Sequence, residues 1–244
     1  MLTGASVLPG AEISEAKNGE AWMAEFELVI FDCDGVLVDS ERIANEVFAK
    51  ILNEECGFSL SLQDMFDTFV GRSAAQCMEI IEHMYGREPP PGLALRYENE
   101  INAALRESVV AVEGVEQVLE DLDRPWCVAS SGSYEKMRTT LGKANLLERM
   151  QGKLFSTFDV PRGKPFADIY LHAAKQMGCT DPRRCLVIED SPVGVSGGVA
   201  AGMVVFGFAQ LMREQQLIDA GAHRIFKQMT NLVDEITAWE QSNA

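Results

Sequence analysis

Four consecutive apolar residues, Leu28-Val29-Ile30-Phe31, break abruptly into Asp32-Cys33-Asp34-Gly35. A short apolar run without polar alternation predicts a strand covered on both faces. Runs of the same kind recur at Trp126-Cys127-Val128-Ala129, Leu154-Phe155-Ser156, Cys185-Leu186-Val187-Ile188, Met203-Val204-Val205-Phe206 and the short Arg224-Ile225-Phe226. Between them the spacing is helical, with helices expected from about Tyr134, Phe166, Val193, Gln210 and Asn231. Strands alternating with helices predict an α/β class with a doubly wound parallel sheet, whose ligands bind beyond the carboxyl ends of the strands.

One stretch departs from this alternation. After Ser40-Glu41, the apolar residues Ile43, Val47, Phe48, Ile51 and Leu52 fall at helical spacing. Phe66, Phe69 and Val70 precede a Gly71-Arg72-Ser73 turn, and Cys77, Met78, Ile80 and Ile81 resume a helix. Pro89-Pro90-Pro91-Gly92 is a break, after which Leu93 to Leu105 is helical again. No strand is expected between Asp39 and Val109. An all-helical block, residues 41–110, is therefore expected as a small domain inserted into a core made of residues 25–40 and 111–244. Residues 1–24 mix Gly, Ala, Ser, Pro and Glu without a period and read as a poorly structured leader. They lack the basic start and unbroken apolar stretch of a signal peptide, and Met23 is a plausible alternative start.

With 244 residues, 47% of them hydrophobic, the chain can bury a sizeable core. Its net charge of −16 disfavours nucleic acid as a partner and makes an anionic substrate awkward unless a metal and local cations reverse the field. None of the six cysteines forms a Cys-x-x-Cys pair, so neither zinc nor a disulfide framework is expected. Reduced thiols point to a cytoplasmic protein; Cys33, between the two acids, reads as a small filler side chain. No apolar run is long enough to span a bilayer, and a monomer is expected.

The chemistry is carried by Asp32 and Asp34. Two acids at the end of a buried strand are costly unless a cation or a reaction uses them. If the strand persists, both side chains face one volume; if the chain turns, the Asp34 carbonyl can face it instead. Either arrangement suits magnesium. A calcium loop does not fit, because Val36 stands where a further oxygen ligand is needed. The longer run Phe31-Asp32-Cys33-Asp34-Gly35-Val36-Leu37-Val38-Asp39-Ser40-Glu41 resembles the first motif of the haloacid dehalogenase superfamily, in its phosphoglucomutase-like and sugar-phosphatase branch.

Three later segments fit that resemblance in order. Ser130-Ser131-Gly132-Ser133 follows a strand, where a helix start can seat an anion. Lys164 stands before Pro165, a residue suited to the first helical position. Glu189-Asp190 ends another buried strand, and neighbouring carboxylates there imply a cation or strong hydrogen bonding. The sequence departs from the family at Glu113, at Ala167 and at Gly197-Gly198, the last expected to weaken its helix.

The resemblance implies a Rossmann-like core closed by a helical cap. Asp32 would be the nucleophile, forming an aspartyl-phosphate, and Asp34 the general acid and base. Lys164 and Ser130 would hold the phosphoryl group, with backbone N–H groups of Ser131 and Gly132. Magnesium would be held by Asp32, Asp190 and the Asp34 carbonyl, with Glu189 as ligand or supporting acid. Arg72 could reach substrate from the cap. The implied activity is hydrolysis of a small phosphorylated metabolite, sugar or polyol phosphates leading. Phosphoglycolate hydrolysis, a β-phosphoglucomutase-like activity and a non-catalytic phosphometabolite-binding protein are the rivals. The mutase reading lacks its His, since Glu41-Arg42-Ile43-Ala44-Asn45 contains none. A dehalogenase lacks the second Asp present here as Asp34.

Overall fold

Residues 25–70, 72 and 74–243 are described in this computed structural model. The expected leader, and Gly71 and Ser73 of the expected turn, lie outside the described residues. The chain runs through β1 (Leu28–Phe31), then helices α1 (Ser40–Cys56), α2 (Leu62–Thr68), α3 (Ala74–Tyr85), α4 (Leu93–Ser108) and α5 (Val115–Asp121). It continues with β2 (Trp126–Ser130), α6 (Tyr134–Lys143), β3 (Leu154–Ser156), α7 (Asp168–Gln176), β4 (Cys185–Glu189), α8 (Pro192–Ala200), β5 (Val204–Phe208), α9 (Glu214–Asp219), β6 (Arg224–Phe226) and α10 (Leu232–Ser242).

The strands form one six-stranded sheet in the order β3-β2-β1-β4-β5-β6, with every pairing parallel. The uninterrupted apolar runs have a direct cause. Val29 and Phe31 face one apolar core, built with α5, α6 and α10, while Leu28 and Ile30 face a second, built with α7 and α8. Both sides are covered, so every residue of β1 is buried, each worth about 1.5–3 kcal/mol relative to exposure. From β1 the chain continues outward to β2 and β3, then returns to place β4 on the other flank of β1. That reversal opens a crevice at the carboxyl ends of β1, β2 and β4, where doubly wound sheets bind ligands.

Helices α1 to α4 carry no strand and pack around their own apolar cluster, which includes Ile51, Leu52, Met65, Ile81 and Leu93. None of the described helices is long and apolar enough to cross a membrane.

Three local expectations need correction. The helix placed at Gln210 begins at Glu214, because Ala209 and Met212 fill the core beside β5 as loop residues. Pro165 does not open a helix: Phe166 N–H closes a turn onto the Gly163 carbonyl (3.0 Å), and α7 starts at Asp168. Gly197-Gly198 is no simple weakness of α8. A Cβ at Gly198 would stand 2.7 Å from Val205 Cγ2, so the bare backbone is what lets α8 lie close on β5.

Candidate active site

The carboxyl ends of β1, β2 and β4 bring the expected acids together. Asp32 follows β1, buried to 7% exposure, and Lys164 reaches it from the loop before α7. The Lys164 ammonium donates to Asp32 Oδ1 and to Glu189 Oε1, both at 2.5 Å. Glu189 is the last residue of β4 and fully buried. Its Oε1 also accepts from the Tyr170 hydroxyl (2.7 Å), and its Oε2 accepts from the Ser191 N–H (3.2 Å) and hydroxyl (2.9 Å). Four donors thus fix this carboxylate. A Cβ at Gly194 would stand 1.9 Å from its Cδ, so only glycine fits there.

Asp190 is different: no described hydrogen-bond donor reaches its carboxylate, and its Oδ2 lies against Gly35. Gly35 has φ +78°, and a Cβ there would sit 1.9 Å from that oxygen. Both the turn and the space demand glycine. Burial, then the charges of Glu189 and Asp32, pushes Asp190 well above the ordinary carboxylate range. Burial likewise pushes Asp32 up to about 7, with Lys164 opposing and Glu189 and Asp34 adding to the rise.

Oxygens of Asp32, Glu189 and Asp190 lie within 4.8 Å of one another. Three acids against one buried lysine leave negative charge that a cation would neutralise. The donor set is oxygen alone, which fits a hard divalent ion such as magnesium and not zinc. With Glu189 occupied by four donors, Asp190 and Asp32 Oδ2 are the carboxylate oxygens available to such an ion.

Asp34 does not point at Asp32. The chain leaves the strand after Phe31, and the Asp34 side chain turns toward α1 and α6. Its Oδ1 accepts from the Ser40 hydroxyl (2.8 Å) and its Oδ2 from the Lys136 ammonium (2.8 Å). Sequence reasoning missed Lys136, Ser40, Tyr170 and Ser191 as parts of the site. For Lys136 a signal existed, since it lies in the first turn of the helix after Ser130-Ser131-Gly132-Ser133. Cys33 is buried among apolar residues.

Ser130 ends β2, buried to 1% exposure. Its Oγ accepts from the Gly132 N–H (3.0 Å), so that N–H is engaged at rest instead of standing free for an anion. Ser131 is exposed, its carbonyl accepting from the Thr157 hydroxyl (3.2 Å). Arg72 is exposed in the helical block, its Nε donating to the Thr68 carbonyl (2.6 Å), and it lines a cavity of about 380 Å³ without reaching the acids.

Comparison with known proteins agrees with this geometry. Residues 26–202 match the haloacid dehalogenase-like hydrolase family. The chain is 34% identical over 187 residues to 6-phosphogluconate phosphatase of Escherichia coli strain K12, covering 76% of this chain and 84% of that protein. It is 29% identical over 179 residues to hexitol phosphatase A of the same organism, covering 71% and 78%. A solved HAD family hydrolase from Deinococcus radiodurans, with bound phosphate and sodium, superposes with a TM-score of 0.79 at 31% identity, covering 88% of this chain and 97% of that one. The chain belongs to the haloacid dehalogenase-like hydrolase family and is an enzyme of its phosphatase-type, phosphomonoester-cleaving kind.

Proposed function

We propose that this enzyme hydrolyses small phosphorylated metabolites, sugar and polyol phosphates first among them, with magnesium as its cation. The observation that carries the reading is Asp32. Its carboxylate is held through Oδ1 by Lys164, and it brings an oxygen within 4.8 Å of oxygens of Asp190 and Glu189.

In this reading Asp32 Oδ2 attacks phosphorus while the bond to the leaving oxygen breaks, and Asp34 gives that oxygen a proton. An aspartyl-phosphate results. Asp34 then takes a proton from water, which attacks the phosphorus and restores the Asp32 carboxylate with release of phosphate. Lys164 neutralises the oxygens gathered at Asp32, and Ser130 offers a hydroxyl to the phosphoryl group. Asp190, Asp32 and the Asp34 carbonyl would hold magnesium, which when bound supplies charge neutralisation for the phosphoryl oxygens. Glu189 braces Lys164. Residues 41–110 act as a cap over the crevice, and the six free thiols suit a reducing cytoplasmic setting.

The test is a panel of phosphorylated metabolites incubated with purified protein and magnesium, following free phosphate. Asp32→Asn should lower turnover by about a thousandfold or more while the protein stays folded, since the nucleophile is gone. Substantial phosphate release by that variant would sink the assignment.

A further inference from the structure

The cavity of about 380 Å³ between α1, α3 and α4 is of the size small metabolites occupy, commonly about 300–1,000 Å³. Its walls have two characters. Phe48, Phe69 and Met78 are apolar, with the Phe48 ring 5.4 Å from Phe69 and 4.8 Å from Tyr97 between centroids. Glu41, Asn45, Arg72 and Tyr97 are polar. Apolar and aromatic side chains interleaved with a few polar groups are what a carbon chain dense in hydroxyls requires.

Glu41 stands where this cavity meets the acids. A Cβ placed on Gly35 would lie 3.2 Å from Glu41 Cγ and 1.9 Å from Asp190 Oδ2. Glu41 is half-buried in the first turn of α1, and no described donor reaches its carboxylate. Glu189, a few residues from the same crevice, has four donors. Burial, then the Asp34 charge, raises Glu41 above the ordinary carboxylate range, with Lys136 opposing, and its place near a helix N-terminus does not explain why it lines the cavity. It falls outside the group of Asp32, Glu189 and Asp190 whose oxygens converge. Beside it, burial and the Glu41 charge push the Tyr97 phenol up to about 12, so it stays a hydrogen-bond donor at neutral pH.

Resting on the phosphatase reading above, we propose that Glu41 and Tyr97 determine substrate specificity: Glu41 accepts, and Tyr97 donates, hydrogen bonds to hydroxyl groups of the leaving alcohol. The enzyme then favours esters of polyhydroxylated alcohols over esters that lack hydroxyls, because an unhydroxylated leaving group would leave the Glu41 carboxylate without a donor.

The experiment compares wild type, Glu41→Gln, Glu41→Ala and Tyr97→Phe on glucitol 6-phosphate and on p-nitrophenyl phosphate, with magnesium present. In each variant the ratio of kcat/KM values, glucitol ester over p-nitrophenyl ester, should fall about tenfold or more, mainly through a higher KM for the glucitol ester. Should the Glu41 variants fail to fold, Tyr97→Phe, which leaves α1 untouched, still has to lower the ratio. An unmoved ratio overturns the proposal while leaving the phosphatase reading intact. So does a rise in magnesium requirement that affects both esters alike, which would make Glu41 a metal-site acid. Absence of phosphate release by wild type from either ester or any metabolite of the panel would instead strike the phosphatase reading itself.

Discussion

Replacing Glu189 with Gln separates two roles that one residue could play, metal ligand or brace. The side chain keeps its shape, but an amide accepts at only one head. With its oxygen toward Lys164 and Tyr170, its NH₂ faces the Ser191 N–H, 3.2 Å from the present Oε2, and leaves that part-buried donor unpaired. An orphaned buried donor costs about 1–3 kcal/mol. Lys164, at 4% exposure, would also exchange one of two anionic partners for a neutral one, at about 1.5–3 kcal/mol. Against this, removing the Glu189 charge relieves its repulsion of Asp190 and Asp32, both of which it pushes up. The net is roughly 2–4 kcal/mol of destabilisation, a drop in Tm on the order of 10 °C for a chain of this size. Thermal melts in chelator, where no metal contributes, measure it; a magnesium titration of activity completes the test. A melting point unchanged in chelator, together with a tenfold higher magnesium requirement, would show Glu189 to be a ligand and refute the argument from its four donors.

Three further outcomes follow from the same geometry. Chelator should abolish activity and magnesium restore it, with a higher melting point on adding the ion, since Asp190 and Asp32 then gain a counter-charge; full activity in metal-free buffer would contradict this. Burial lowers His223, whose Nδ1 accepts from the Val205 N–H (3.0 Å), from 6.5 to about 4. The folded pKa lies below the unfolded one, so the stabilisation is complete above about 6.5 and is lost as pH falls through 4; denaturant melts at pH 7.5 and 5 should show a larger loss for wild type than for His223→Gln, and equal losses would argue against it. Incubation with β-glucose 1-phosphate should release phosphate with little glucose 6-phosphate, because Ala44, at the cavity wall, has no His beside it to align a sugar hydroxyl against water; rapid isomerisation without free phosphate would favour a mutase.

What the sequence made legible follows from which forces act locally. The strands announce themselves because both faces of β1, β4 and β5 are covered, so their residues could not alternate with polar ones. The acids announce themselves because charge at the end of such a run is costly without a use. Lys136 announced itself only by its place in the first turn after Ser130-Ser131-Gly132-Ser133, since a lysine on a helix is ordinarily solvated; the folded chain brings its ammonium to Asp34. Tyr170 gave no such signal: its hydroxyl, from α7, is spent on Glu189. Asp34 shows the limit most sharply. Its identity as the second acid was readable, its direction was not: spacing along a strand would aim it with Asp32, whereas the turn at Gly35 hands both its oxygens to Ser40 and Lys136. An acid so engaged cannot meet a leaving group without exchanging at least one partner. Ser40, which holds Asp34, and Glu41, which lines the cavity, are neighbours in the first turn of α1. In the reaction proposed above, Asp34 therefore has to give up Ser40 or Lys136 before it can protonate the leaving oxygen.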